Sequence, residues 1–141
     1  MKDLYNNIDP VSLLDPITVS ATATLTDIDL QGAASATLLI ATGLDGGAGL
    51  DGSNNLVFTL KDSDDGTTYA NVETKDMLDL TVASGVVLTI DAVGEDNTLY
   101  KLGYKGGRRY LELTYTETGD VQMPMGITLV KGHLRDAPPI S

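Results

Sequence analysis

The chain contains no cysteine, no tryptophan, one histidine and one phenylalanine, and its nine Lys and Arg face 20 Asp and Glu. Without cysteine there are no disulfides, thiolate zinc sites or cysteine nucleophiles, and a single histidine cannot build a poly-histidine metal centre. The formal net charge of −11 runs against the basic balance that a phosphate backbone demands, so nucleic acid is not expected as a partner. The opening Met1-Lys2-Asp3-Leu4-Tyr5-Asn6-Asn7 meets an acid where a signal peptide would run on into apolar residues. No later stretch approaches the ~20 apolar residues of a membrane span. The expectation is a soluble chain made in a cytoplasm, with no membrane partner.

What is present is 141 residues, 42% of them hydrophobic, enough for one domain with its own core. Helical periodicity is nearly absent. Short runs of Val, Ile, Leu, Thr and Tyr alternate with Gly, Asn and Asp clusters, which reads as about eight or nine strands. They are expected over residues 17–24, 27–30, 36–42, 56–62, 67–72, 86–91, 98–105, 108–116 and 126–131, with a single helical turn inside 73–78. The fold predicted is all-β, a single-domain β-sandwich or jelly-roll-like barrel over 17–133. An N-terminal arm over 1–16, punctuated by Pro10 and Pro16, and a C-terminal tail over 134–141 with Pro138-Pro139 are expected to extend from it.

In the first expected strand Ile17, Val19, Ala21 and Ala23 point one way and Thr18, Ser20, Thr22 and Thr24 the other. Gly106-Gly107, between two alternating runs, suits a two-residue hairpin turn. The register that follows sets Leu102 opposite Leu111, Tyr100 opposite Leu113 and Lys101 opposite Glu112. A second hairpin is expected at 62–67, where Asp and Ser close side-chain turns and Gly66 takes a left-handed conformation. The Gly-Leu-Asp-Gly copies at 43–46 and 49–52 read as a mobile surface loop.

Charge is uneven: residues 1–100 hold three basic and 16 acidic groups, residues 101–141 six and four. That contrast predicts an electrically two-faced domain with Lys101, Lys105, Arg108 and Arg109 clustered at one hairpin tip. Asp62, Asp64 and Glu73 stand at positions one, three and twelve of an EF-hand-like spacing, but Gly66 and Thr67 occupy the places of a ligand and the turn glycine. The segment reads as a solvated turn. His133 has no nucleophile elbow, paired catalytic carboxylates or phosphate loop to work with, and reads as a surface or interface residue. Of Tyr100, Tyr104, Tyr110 and Tyr115, three share the leucine face of the expected hairpin, which favours core over a sugar-stacking platform. No catalytic residue, metal or cofactor is expected.

Five blocks carry a resemblance: Met1 to Ile8, Ile28-Asp29-Leu30-Gln31-Gly32, Ser63-Asp64-Asp65-Gly66-Thr67-Thr68-Tyr69, Tyr100 to Leu111, and Val130 to Pro138. In this order they resemble a family of small virion proteins of tailed phages and prophages, encoded in head-morphogenesis clusters. The resemblance implies a non-enzymatic capsid cement or decoration protein, a homotrimer on the outer surface of the major capsid protein shell, assembled in the bacterial host cytoplasm. It also admits a head spike base or a neck or tail subunit. Tyr5, Lys105, Arg108, Arg109, His133 and Arg135 are the candidate contacts with the capsid partner, together with the termini. A carbohydrate-binding β-sandwich module is the rival from another class, because Asp64-Asp65-Gly66-Thr67-Thr68-Tyr69 resembles turns in galactose-binding-like sandwiches. The absence of tryptophan stands against it.

Overall fold

The computed structural model describes residues 3–134. Nine strands are formed: β1 (Ile8–Val19), β2 (Ala23–Asp29), β3 (Ala33–Thr42), β4 (Asn55–Ser63), β5 (Ala70–Asn71), β6 (Val86–Ile90), β7 (Leu99–Tyr104), β8 (Tyr110–Thr118) and β9 (Met123–Leu134). One antiparallel sheet runs β1-β9-β3-β7; the second runs β2-β8-β4-β5, with β6 also paired to β4. The two pack face to face as an all-β sandwich, as the strand pattern predicts. The helical turn expected within 73–78 is a 3-10 turn at Thr74–Asp76, closed by a reciprocal cap between Glu73 and Asp76.

Alternation decides what enters the core. Leu38 and Ile40 on β3, and Met123, Met125, Ile127 and Leu129 on β9, face Leu56, Phe58 and Leu60 on β4 and Leu111 and Leu113 on β8; all are almost wholly buried. Phe58 and Tyr115, paired across β4 and β8, pack as tilted rings 6.3 Å apart. The residues between the buried ones form the outer face of the first sheet in cross-strand rows. Pro10, Val130, Thr37 and Gly103 make one row; Ser12, Thr128, Leu39 and Lys101 the next; Gly126, Ala41 and Leu99 a third.

Three expectations are corrected. Residues 8–16, read as part of an arm, belong to β1 and pair with β9 from Ile8↔Gly132 onward. Pro10 and Pro16 are tolerated because β1 is an edge strand, interrupted by register shifts between Ser12 and Ile17, where missing N–H groups cost least. The run 17–24 is therefore two strand ends joined by a corner between sheets. The loop at 43–52 is pinned instead of free: Gly43, Gly46 and Ala48 donate backbone hydrogen bonds to the carbonyls of Pro124, Gln122 and Asp120, and Leu50 is buried.

The third correction is the hairpin at Gly106-Gly107. β7 pairs with β3, whereas β8 pairs with β2 and β4, so the segment 105–109 crosses from one sheet to the other. Lys101 stands opposite Leu39, and Glu112 opposite Lys61. Leu102, Tyr104, Leu111, Leu113 and Tyr115 all point inward as expected, but from the two walls of the sandwich. The turn at 62–67 is a hairpin: Asp62 pairs with Ala70, and Gly66 is left-handed at φ +73°.

Candidate interaction site

The antiparallel pairings collect one set of strand ends. Ile8 of β1 lies beside Gly132 of β9, Gly132 beside Ser35 of β3, and Ala36 of β3 beside Tyr104 of β7. In the second sheet Ser63 of β4 pairs with Tyr110 of β8, and Tyr110 with Asp29 of β2. The crossing segment 105–109 joins these ends, because it leaves β7 at Tyr104 and enters β8 at Tyr110. Each of the five resemblance blocks, far apart in sequence, therefore contributes residues to one end of the sandwich, although the block from Tyr100 begins near the other end, where the Tyr100 hydroxyl donates to the carbonyl of Glu95.

Within this end, burial organises charge around Tyr104. Its hydroxyl donates to the buried carboxylate of Asp62 at 2.8 Å and accepts from the backbone N–H of Arg108 at 3.2 Å. The Arg108 side chain lies 3.5 Å from Asp62 and 2.7 Å from Asp64. Burial is the main cause that pushes the Asp62 carboxyl above its ordinary range, opposed by the Tyr104 hydrogen bond and the Arg108 charge. Burial first, and then the Asp62 hydrogen bond, also raises the Tyr104 phenol.

Arg109 grips Asp29 with two parallel hydrogen bonds of 3.0 and 2.9 Å, adds Gln31 Oε1 at 2.8 Å, and stacks 4.8 Å above the Tyr110 ring. The hydrogen bonds from Arg109 hold the Asp29 carboxyl below its usual value. The adjoining turn is fixed by Asp65, whose Oδ1 accepts from the N–H groups of Thr68 and Thr67, both at 2.8 Å. Those bonds bring the Asp65 carboxyl down to about 2.

A shallow cleft of about 190 Å³ runs between the β2–β3 turn and the crossing, lined in part by Lys105, Arg108 and Arg109. Ser35 lines it too, and shares a 2.7 Å hydrogen bond with Nδ1 of His133, whose backbone is left-handed at φ +48°. Lys105 is exposed and anchored by its N–H to the carbonyl of Asp76 at 2.7 Å. Tyr5, 84% exposed, sits on the 3-10 turn Tyr5–Asn7 that leads into β1 at the same end. Five of the six contact candidates are thus brought together; Arg135 lies outside the described residues.

No protein-family model matches this chain, and no curated protein sequence does.

The expectation of a bare basic tip is corrected by this geometry. Arg108 and Arg109 are met by Asp62, Asp64 and Asp29, and Lys101 lies out on the face of the first sheet. Sequence reasoning missed Asp29, Gln31 and Ser35 as members of the site, since their partners are 78 to 98 residues away. The resemblance block 28–32 is the one available signal, and it covers Asp29 and Gln31 but not Ser35. Asp62 and Glu73 do other work than the EF-hand spacing suggests: Asp62 serves Tyr104 and Arg108, and Glu73 caps a 3-10 turn and pairs with Lys75 at 3.2 Å. Among the described residues no cluster of three or more His, Asp and Glu is placed to hold a metal ion. Nor is there a stacking platform in the four tyrosines: Tyr104 and Tyr115 are buried, Tyr100 and Tyr110 half-buried.

Proposed function

We propose that this chain is a capsid cement protein of a tailed phage or prophage, which docks on the outside of the major capsid protein shell through the end carrying Tyr5, Lys105, Arg108, Arg109 and His133. The observation that carries the reading is that every resemblance block, though separated along the chain, contributes residues to that one end. The blocks supply core residues such as Ile28, Leu102 and Leu111 as well, but exposed polar and aromatic side chains from each of them are gathered at this end, where a partner can meet them together. The chemistry of the end suits a protein partner. Its arginines are already oriented by carboxylates, an exposed tyrosine stands at the same end, and both kinds of side chain are enriched at the centres of interfaces.

Retention on a symmetric shell follows from numbers. Several modest contacts per oligomer act together, so a homotrimer holds far more firmly than one protomer, and binding only the assembled shell stabilises it by mass action. The test is co-sedimentation with capsids assembled from the phage's major capsid protein, comparing wild type with the Tyr5→Ala/Lys105→Glu double variant. Saturable binding that weakens at least tenfold in the variant, with an unchanged melting temperature, is the expected result. Absence of wild-type binding to capsids, together with binding to tail assemblies or to a glycan array, would replace this reading by one of its rivals.

A further inference from the structure

We infer that the outer face of the β1-β9-β3-β7 sheet is where copies of this chain meet one another. In a protein of net charge −11, the three cross-strand rows of that face hold no acid, and Lys101 is their one charged residue. Leu39, Val130 and Leu99 supply apolar surface there, and Leu99 is 64% exposed. Acids stand at the margins: Asp15, in the irregular stretch of the edge strand β1, accepts a hydrogen bond from Ser12, and Asp79 borders the groove next to Lys101. An apolar middle with a polar rim is the anatomy of a protein interface.

Charge selects the occupant. Two copies at −11 repel over most of their surfaces, and an acid-free face is where they approach at least electrostatic cost. Size agrees: four strands ~4.8 Å apart, of 12, 12, 10 and 6 residues at ~3.3 Å each, give a footprint of roughly 600 Å², near the ~800 Å² per partner of a standard interface. Strand addition at the edges is the competing route, and both edges resist it. β1 carries Pro10 and Pro16, and β7 is covered by the Leu78 N–H bond to Gly103 and the bridge between Met77 and Tyr104. Contact therefore runs through the face.

This inference deepens the self-association in the proposed function but does not depend on the capsid. Light scattering of the isolated full chain should give a multiple of 14.8 kDa, and added salt should favour the oligomer by screening repulsion. Leu39→Glu should return the mass to that of the monomer. Thr128→Glu, in the same row, is the second probe should the first fail to fold. Thr116→Glu, exposed on the outer side of the other sheet, should leave the mass unchanged. A wild-type monomer at every concentration and salt, or an oligomer that survives both substitutions, would overturn the inference. So would a monomeric wild type that loses capsid binding on Leu39→Glu, because the occupant would then be the shell. An oligomer that ignores capsids leaves this inference standing and removes only the cement reading.

Discussion

At Tyr104 a phenol is buried beside a carboxylate, and each satisfies the other. Tyr104→Phe leaves Asp62 Oδ2 without its donor and the Arg108 N–H without its acceptor, so a loss of about 1–3 kcal/mol is expected in denaturant unfolding. Stability unchanged within error would mean that water replaces the phenol. Asp65 gives the pH dependence. Its carboxyl is near 2 in the fold against an ordinary 3.8, so the unfolded chain binds the proton first as pH falls. Its contribution is complete above about 3.8 and is lost as pH drops toward 2. Thermal melts of Asp65→Asn between these values should show a shallower acid decline than wild type. Because its Oδ1 is taken up by backbone N–H groups, a chelator should not move the melting temperature of this turn; a clear drop would expose a structural cation.

Elements divide into those that alternation determines and those that long-range pairing determines. Which residues face inward was legible along β7 and β8, from Leu102 and Tyr104 to Leu111, Leu113 and Tyr115, because a period of two needs no partner, but not across 17–24, where the corner between sheets leaves Ile17 and Ala21 exposed while Val19 is buried. Which strand lies beside which was not. Leu102 and Leu111 agree on a common side whether they are neighbours in one sheet or opposed across two, and Gly106-Gly107 serves a crossing as well as a turn. Prolines misled in the same way: Pro10 reads as a break, yet an edge strand accommodates it. The loop 43–52 looked mobile because glycine is flexible in isolation, but at Gly47 a Cβ would stand 2.2 Å from the carbonyl oxygen of Asp120, whereas at Gly52 it meets open space. Gly47→Ala should therefore lower the melting temperature by several degrees and Gly52→Ala by little. Equal effects would mean that the loop is not docked as described.

For the whole molecule, the end opposite the candidate site carries Asp45, Asp51, Asp91, Glu95, Asp96 and Asp120 in its loops, with no Lys or Arg in 43–54, 91–98 or 119–122. The end with the candidate site mixes both signs in fixed pairs. The charge contrast read from the sequence is thus real as an end-to-end asymmetry, but its basic side is largely neutralised locally, which composition cannot reveal. Of the candidate site, Tyr5, Lys105, Arg108, Arg109 and His133 were legible through the resemblance. Their carboxylate and hydroxyl partners needed the fold. In the proposed docking, an acidic end turned away from the shell and a charge-paired end turned toward it would orient each copy. The central claim is that docking strengthens the shell, and the most direct test is the temperature at which capsids of the major capsid protein disrupt, measured while this protein is added. A rise that saturates at a fixed ratio of protein to capsid subunits is expected. A disruption temperature unaffected by any amount of added protein would contradict the account.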